Sequence, residues 1–525
     1  MSMVEALWRA SVCGRLFLWL AACWRESASA GFCGFWARQF RSSRLRAWGV
    51  CALGAPMEAT GMSVWNRLIG RLWATSRGWV KALRPEKSLL WRTANAVRSS
   101  ALFTHSLFGR MLKRLDHGDV ALCVFCLYLP IEWLMRQIAP PQAGTLWDHL
   151  FLIFCFVLLL LWKINPHIES LKDATPLDGP LLLFIGIGVF LFGVVSPLLP
   201  VAIAGWRAVY EYMLWFFVIS RMVRTRRAIL LCYVLFVLMG SALGLHAIYQ
   251  FITGAPIPSS WVSVYEVGVR TRAYSIVGSP NILGCLMVML APMAAGLAYA
   301  VKNIRVKTFC WAAVGIICLG CVFTFSRGAW VGLAVAVFLF SLLRDRRLLL
   351  LGALAAFVGL MTPQIVNRIS FIFSSAFERN NSTAGRGARW AYGLDLLFGS
   401  DPIFGFGLGR FGGAIAMQNQ TDKTLRYFYL DNYYLKTLVE MGIVGLCGYI
   451  FLLINALFSG LRALFRVRDQ GERYSLACGI FAGLSGVLTH CYFENIFEVP
   501  YMNAYFWGLC ALMLVIGWKK DVAMK

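Results

Sequence analysis

Apolar residues collect in twelve long runs, at 120–138, 146–162, 180–199, 201–220, 228–251, 276–300, 308–325, 328–343, 348–361, 433–458, 474–490 and 501–518. A helix needs about 20 predominantly apolar residues to cross a hydrocarbon core. The pattern therefore predicts an all-α, polytopic integral membrane protein with about 12 transmembrane helices. The largest interval between runs is 362–432. Structureless loops longer than ~15 residues are uncommon unless functional, so this interval is expected to carry helices of its own and to form part of a site.

Charge between the runs sets a topology. One set of connections holds Arg221, Arg224, Arg226 and Arg227, then Lys302, Arg305 and Lys307, then Arg344, Arg346 and Arg347, then Arg462, Arg466, Arg468 and Arg473. These are every second loop. Short Lys/Arg-rich loops stay cytoplasmic, which predicts both chain ends inside and the remaining loops outside. Three of the external regions stand out: 253–274, the turn at 326–328, and 362–432.

Composition agrees with this reading and narrows it. The chain has 525 residues, 59% of them hydrophobic and 14% charged, whereas a soluble protein carries roughly 25% charged residues. A soluble enzyme and a disordered chain are both excluded. Fifty Lys+Arg against 25 Asp+Glu leave +25. Because the cations sit in alternate loops, that excess reads as topology, and no nucleic-acid partner is expected.

The organisation that results is an N-terminal extension at 1–118, spans 1–9 within 119–365, one large external loop domain at 366–432, and spans 10–12 within 433–525. The extension is rich in Trp, Arg and Cys. Its apolar stretch at 16–24 is too short to span and is bracketed by Arg15 and Arg25, which fits a secretory signal poorly. It reads either as a basic interfacial region or as sequence upstream of a start at Met57 or Met62. The pairs Cys123/Cys126 and Cys318/Cys321 have metal or redox spacing but lie inside predicted spans, where Cys acts as a small apolar residue. The six histidines lack ligand spacing, so neither a metal nor any other cofactor is predicted.

The polar residues left over suggest chemistry. Arg270, Arg272, Arg327, Arg386 and Arg389 all fall at or near the predicted outer boundary, against the usual charge bias. Guanidinium groups bind phosphate oxygens in a bidentate fork and stay charged, which suits an anionic ligand at headgroup level. Arg386, Arg389 and Trp390 share one helical face by their i, i+3, i+4 spacing; pairing with Glu378 and Asp395 is the structural alternative. Gly407, Gly409 and Gly412 form G-x-G-x-x-G, but no strand precedes them and no βαβ unit is predicted, so they read as turn glycines allowing close approach to the membrane or a sugar. At the entrance to the next span, Asp431 and Asn432 either cap the helix or place a carboxylate where it can take a proton from a hydroxyl. Tyr434 lies beside them and Glu440 about two turns deeper, an intramembrane acid. Arg207 and Glu211 read as a structural i, i+4 ion pair. His490 and Glu494 repeat that spacing and are candidates for the same cavity.

The order of these features resembles the O-antigen ligase and O-antigen polymerase superfamily. The matching pieces are Pro280-Asn281, the Phe325-Ser326-Arg327-Gly328 turn, Arg386-x-x-Arg389-Trp390, Asp401-Pro402 with Gly405-x-Gly407-x-Gly409, and Asn432-x-x-Leu435 with Glu440-x-Gly442. They cover about 270–450. The resemblance implies a metal-independent glycosyltransferase in the bacterial cytoplasmic membrane. Such an enzyme moves a glycan from undecaprenyl diphosphate to an acceptor hydroxyl on a glycan or lipid at the outer face. Together with the residue reading above, this makes Asp431, Arg327 and Arg386 the expected catalytic residues, and Arg270, Arg272, Arg389, Trp390, Asn432, Tyr434, Glu440 and His490 the expected substrate-binding residues. Ligases carry His-Asn where this chain has Asp431-Asn432. Aspartate at that position resembles a branch also labelled as inorganic-carbon transporters. Bicarbonate or small-anion transport is therefore the alternative, and a non-catalytic envelope partner a third reading.

Overall fold

The computed structural model describes residues 117–164, 174–195, 198–258, 261, 271–383, 385–419 and 429–518. Arg270 and nearly all of the N-terminal extension lie outside them. Eighteen α-helices carry the described chain, with no strand among the described residues: α1 His117–Cys126, α2 Tyr128–Ile138, α3 Pro141–Ile164, α4 Asp178–Val195, α5 Leu199–Trp206, α6 Trp215–Met222, α7 Arg226–Thr253, α8 Pro280–Ala300, α9 Ile304–Phe323, α10 Arg327–Leu343, α11 Arg347–Leu360, α12 Pro363–Ser370, α13 Ser375–Thr383, α14 Arg386–Phe398, α15 Ala414–Asn419, α16 Tyr433–Arg466, α17 Gly471–His490 and α18 Pro500–Trp518. Helices cover most of the described residues of each of the twelve apolar runs, and the interval at 362–432 carries helices of its own, α12 to α15. By length and apolarity, six of the described helices suffice to cross a membrane, or up to eight if each bent pair counts as one span.

The difference from twelve straight spans has local causes. α1 and α2 meet at 74° because Pro130 lacks an N–H and its ring would strike the Cys126 carbonyl one turn back. The hydroxyl of Tyr505 repairs the break, accepting from Leu129 N at 3.0 Å and donating to Cys126 O at 3.0 Å. The run at 201–220 is interrupted by a π-turn, Arg207–Glu211, whose Ala208 and Val209 carbonyls accept from Asn503 Nδ2 at 3.2 and 3.1 Å. Both repairing side chains belong to α18, one of the most enclosed helices. In an apolar surrounding each unpaired backbone group is costly, so the repairs are what make the breaks tolerable.

At the centre α8 packs along α17. Glycines set the separation: a methyl on Gly483 would stand 2.4 Å from the Met289 carbonyl oxygen, and one on Gly479 would stand 2.6 Å from that of Pro292. Small residues at i, i+4 let helix backbones touch where lipid supplies no hydrophobic driving force. Around this centre, α4, α11 and α16 turn large apolar side chains outward, Leu182, Leu350 and Phe458 among them, as lipid-facing helices do. The thiols of Cys123, Cys126, Cys318 and Cys321 are free and lie inside α1 and α9.

Candidate functional site

The segment leading into α16 is gripped by one face of α14. Trp390 Nε1 donates to Leu430 O at 2.8 Å, and Arg389 Nη1 reaches Tyr429 O at 3.5 Å. Arg389 Nη2 lies 2.7 Å from Asp431 Oδ2, with Arg386 Nε 3.4 Å from the same oxygen. The i, i+3, i+4 face therefore exists, but its ionic partner is Asp431 and not Glu378 or Asp395. Asn432 alone caps the helix, accepting from Leu435 N at 3.0 Å. Asp431 adopts φ +51°, a left-handed conformation uncommon outside Gly, Asn and Asp, and its carboxylate turns back to the arginines. Arg386 and Arg389 keep 35% and 24% of their side-chain surface exposed, so an anion can reach them.

Behind this cluster sits a second carboxylate, Glu494. Its oxygens accept from Asn281 Nδ2 at 2.5 Å, Tyr429 Oη at 3.0 Å and its neighbour Asn495 N at 3.1 Å. Burial pushes its carboxyl above the ordinary range, the Asp431 charge adds to this, and Arg386 opposes it. Burial and the Glu494 charge likewise push the Tyr429 phenol up. His490 is buried at the end of α17. Its ring lies against the Arg327–Gly328 turn, where a methyl on Gly328 would be 2.8 Å from His490 Cδ2. His490 and Glu494 are not the helical i, i+4 pair their spacing suggests, because α17 ends at His490. The charge of Arg386 nevertheless reaches both.

Other residues have positions of a different kind. Arg327 begins α10 after Phe325, itself at φ +50°, and its guanidinium stands 5.9 and 5.6 Å from the ring centroids of Phe371 and Phe377. Arg272 is buried, donating to Thr324 O, Trp261 O and Asn281 Oδ1 at 3.0, 2.8 and 3.0 Å. It thereby orients the asparagine that holds Glu494, instead of facing an anion with Arg386. Tyr434 donates to Leu488 O at 2.7 Å, tying α16 to α17. Glu440 is paired with Lys436, whose Nζ lies 3.4 Å from Glu498. Glu498 accepts from Ala414 N at 2.8 Å, and burial pushes its carboxyl up while Lys436 opposes this. Arg207 and Glu211 are paired at 3.1 Å, with His149 joined to both.

The glycine motif serves a helix break. Gly442 has φ 63° and ψ −167° inside α16. Four hydrogen bonds close the gap: Phe406 N to Val439 O (2.8 Å), Gly407 N to Glu440 O (3.0 Å), Ile443 N to Pro402 O (3.0 Å) and Val444 N to Ile403 O (3.1 Å). Gly405, Gly407, Gly409 and Gly412 all have positive φ. A methyl on Gly405 would meet the α16 backbone at Glu440 and Gly442, one on Gly409 the α5 backbone at Val201 and Gly205, and one on Gly412 the side chains of Leu430 and Lys436.

Tyr429 and the Lys436–Glu498 contact carried no sequence signal. Their partners are 65 and 62 residues away, and neither sits in a spacing pattern. Glu494 was visible only through a helical spacing that does not exist.

These features describe a multi-pass, all-helical membrane protein with an arginine pair set at the edge of its longest loop segment. The family model described as O-antigen ligase matches residues 312–450. That segment supports the resemblance to the O-antigen ligase superfamily, a family of membrane glycosyltransferase-like ligases and polymerases. It contains Arg327, Arg386, Arg389, Asp431 and Glu440, and leaves Arg272 and His490 outside. No curated protein matches the chain.

Proposed function

We propose that this protein transfers a glycan from undecaprenyl diphosphate to an acceptor hydroxyl at the outer face of the bacterial cytoplasmic membrane. The observation that carries the reading is the convergence of Arg386 and Arg389 on Asp431. At rest Asp431 is the counter-ion. An arriving diphosphate takes its place on the guanidiniums, which then stabilise the negative charge that grows on the leaving group. The Asp431 carboxylate, so released, accepts a hydrogen bond from the acceptor hydroxyl and orients it. Arg327, at the start of α10 with its guanidinium beside Phe371 and Phe377, is a further positive group for the donor in this reading. The diphosphate is the conjugate base of a strong acid, so departure needs no protonation.

The transport alternative draws support from broken helices, whose unwound carbonyls coordinate ions in transporters. Here the carbonyls at the Gly442 break are already taken by Phe406 and Gly407, which favours transfer. The test uses membranes of a gene-deletion strain, whose lipids accumulate both donor and unmodified acceptor. Wild-type protein added to them should extend or attach the glycan on a gel, while Arg386→Ala should not despite normal insertion. Unchanged glycan in the deletion strain together with slower bicarbonate uptake would reverse the ranking.

A further inference from the structure

The glycan-transfer reading leaves the acceptor proton without a destination. Asp431 meets both guanidiniums through one oxygen, Oδ2, and in the reaction it orients the hydroxyl. Two residues before it, Tyr429 is only partly buried, and its Oη donates to Glu494 Oε1 at 3.0 Å. Glu494 is 6% exposed and is served by neutral donors alone: a phenol, an amide side chain and a backbone N–H. A carboxylate in such a place has a high appetite for a proton, since burial disfavours its charged form and no cation pairs with it among the described residues. Asn281, itself oriented by Arg272, holds the other carboxylate oxygen at 2.5 Å and fixes Oε1 toward the phenol.

Resting on the glycan-transfer reading, we propose that Tyr429 and Glu494 form the proton-accepting pair, with Tyr429 touching the acceptor and Glu494 as the final proton acceptor. The acceptor oxygen bonds to the anomeric carbon of the donor as the bond from that carbon to the diphosphate oxygen breaks. The electron pair leaves with the diphosphate, onto Arg386 and Arg389. The hydroxyl proton passes to Tyr429 Oη while the phenolic proton passes to Glu494 Oε1, so no tyrosinate accumulates. Glu494 then returns its proton to water by the same route. The pair takes the place of the base that the Asp-for-His departure removes.

The groups that bear on the charge of Glu494 are Asp431 and Tyr429 from the segment before α16, Arg386 from α14, Asn281 and Cys285 from α8, and the adjacent Cys491. Its raised carboxyl places the acid limb of the transfer rate above the ordinary carboxylate range, with activity falling as pH drops and Glu494 protonates.

The experiment uses full-length protein in the deletion-strain lipid assay, with initial rates measured against lipid concentration from pH 5 to 9. Tyr429→Phe and Glu494→Gln should each lower kcat by about 10²- to 10⁴-fold. KM and the inhibition constant of inorganic pyrophosphate, which reports on the arginines, should stay within threefold. Glu494→Asp should recover part of kcat. The small rate left in Glu494→Gln should lose the acid limb. Wild-type kcat in Glu494→Gln, or a loss confined to KM with the acid limb unmoved, overturns the assignment while leaving glycan transfer standing. Failure of the wild-type chain to transfer at all overturns the reading beneath it, and the assignment falls with it. Thermal unfolding in detergent serves as the folding control, and Tyr429→Phe, which removes one oxygen and keeps the ring, is the variant least open to misfolding.

Discussion

Arg389 Nη2 and Asp431 Oδ2 stand 2.7 Å apart, joining the first turn of α14 to the residue before the cap of α16. The pair is about one-fifth exposed, so it is neither a solvent-screened surface bridge nor a sealed one. Its placement makes Asp431 a competitor for whatever anion the arginines bind.

Removing that competitor should tighten anion binding while harming transfer. In Asp431→Asn the two guanidiniums lose a charged partner, and a charge-assisted hydrogen bond contributes about 1.5–3 kcal/mol. Inorganic pyrophosphate should therefore inhibit, or bind by calorimetry, at roughly ten- to hundredfold lower concentration. Transfer should fall because the acceptor is no longer oriented. Arg389→Ala should weaken pyrophosphate instead. Equal pyrophosphate affinity in all three proteins would show that the arginines bind no anion.

Lys436 sits between Glu440 and Glu498 with all three side chains almost fully buried. Lys436→Met leaves two enclosed carboxylates without a cation and should cost about 3–5 kcal/mol, the usual penalty for breaking a buried pair from one side. Adding Glu440→Gln and Glu498→Gln to the same chain should restore most of the lost thermal stability. A Lys436→Met protein that melts like wild type would show that this triad does not hold the glycine loop to α16.

Gly483 and Gly186 make a matched test of the helix packing. A methyl at Gly483 meets the Met289 carbonyl at 2.4 Å, whereas one at Gly186 meets nothing within 4 Å. Gly483→Ala should destabilise by about 1–3 kcal/mol through overpacking. Gly186→Ala should be neutral or stabilise by about 0.5–1 kcal/mol. The comparison is made by thermal unfolding in one detergent, and equal melting of the two variants would mean that α8 and α17 are not in backbone contact.

The site must face away from the cytosol for a polyprenyl diphosphate donor to reach it. A membrane-impermeant maleimide should label Ser382→Cys, in α13, from outside intact cells, and should label Arg346→Cys, before α11, only after lysis. Both side chains replaced are exposed. The reverse pattern would put the arginines on the wrong side and remove the proposed reaction.

Much of the architecture was legible in the order of residues. Each of the twelve apolar runs is largely helical over its described residues, because helix formation at low polarity depends on neighbours within a turn or two. The shared face of Arg386, Arg389 and Trp390 and the cap at Asn432 were readable for the same reason: each depends on a spacing of three or four. Composition and the match over 312–450 point to the same class of membrane protein.

Partnership was settled only by the tertiary fold. Arg272 looked like a sibling of Arg386, yet the structure turns it inward to Thr324, Trp261 and Asn281. Glu440 looked available for chemistry, yet Lys436 holds it. Which straight runs would break was equally hidden, since a kink at Pro130 or Gly442 survives only where Tyr505 or Phe406 arrives to take the orphaned backbone groups. Local geometry is written into a few consecutive residues. A buried charge or a broken backbone is satisfied by groups tens or hundreds of positions away, and their arrival depends on how all the helices pack together.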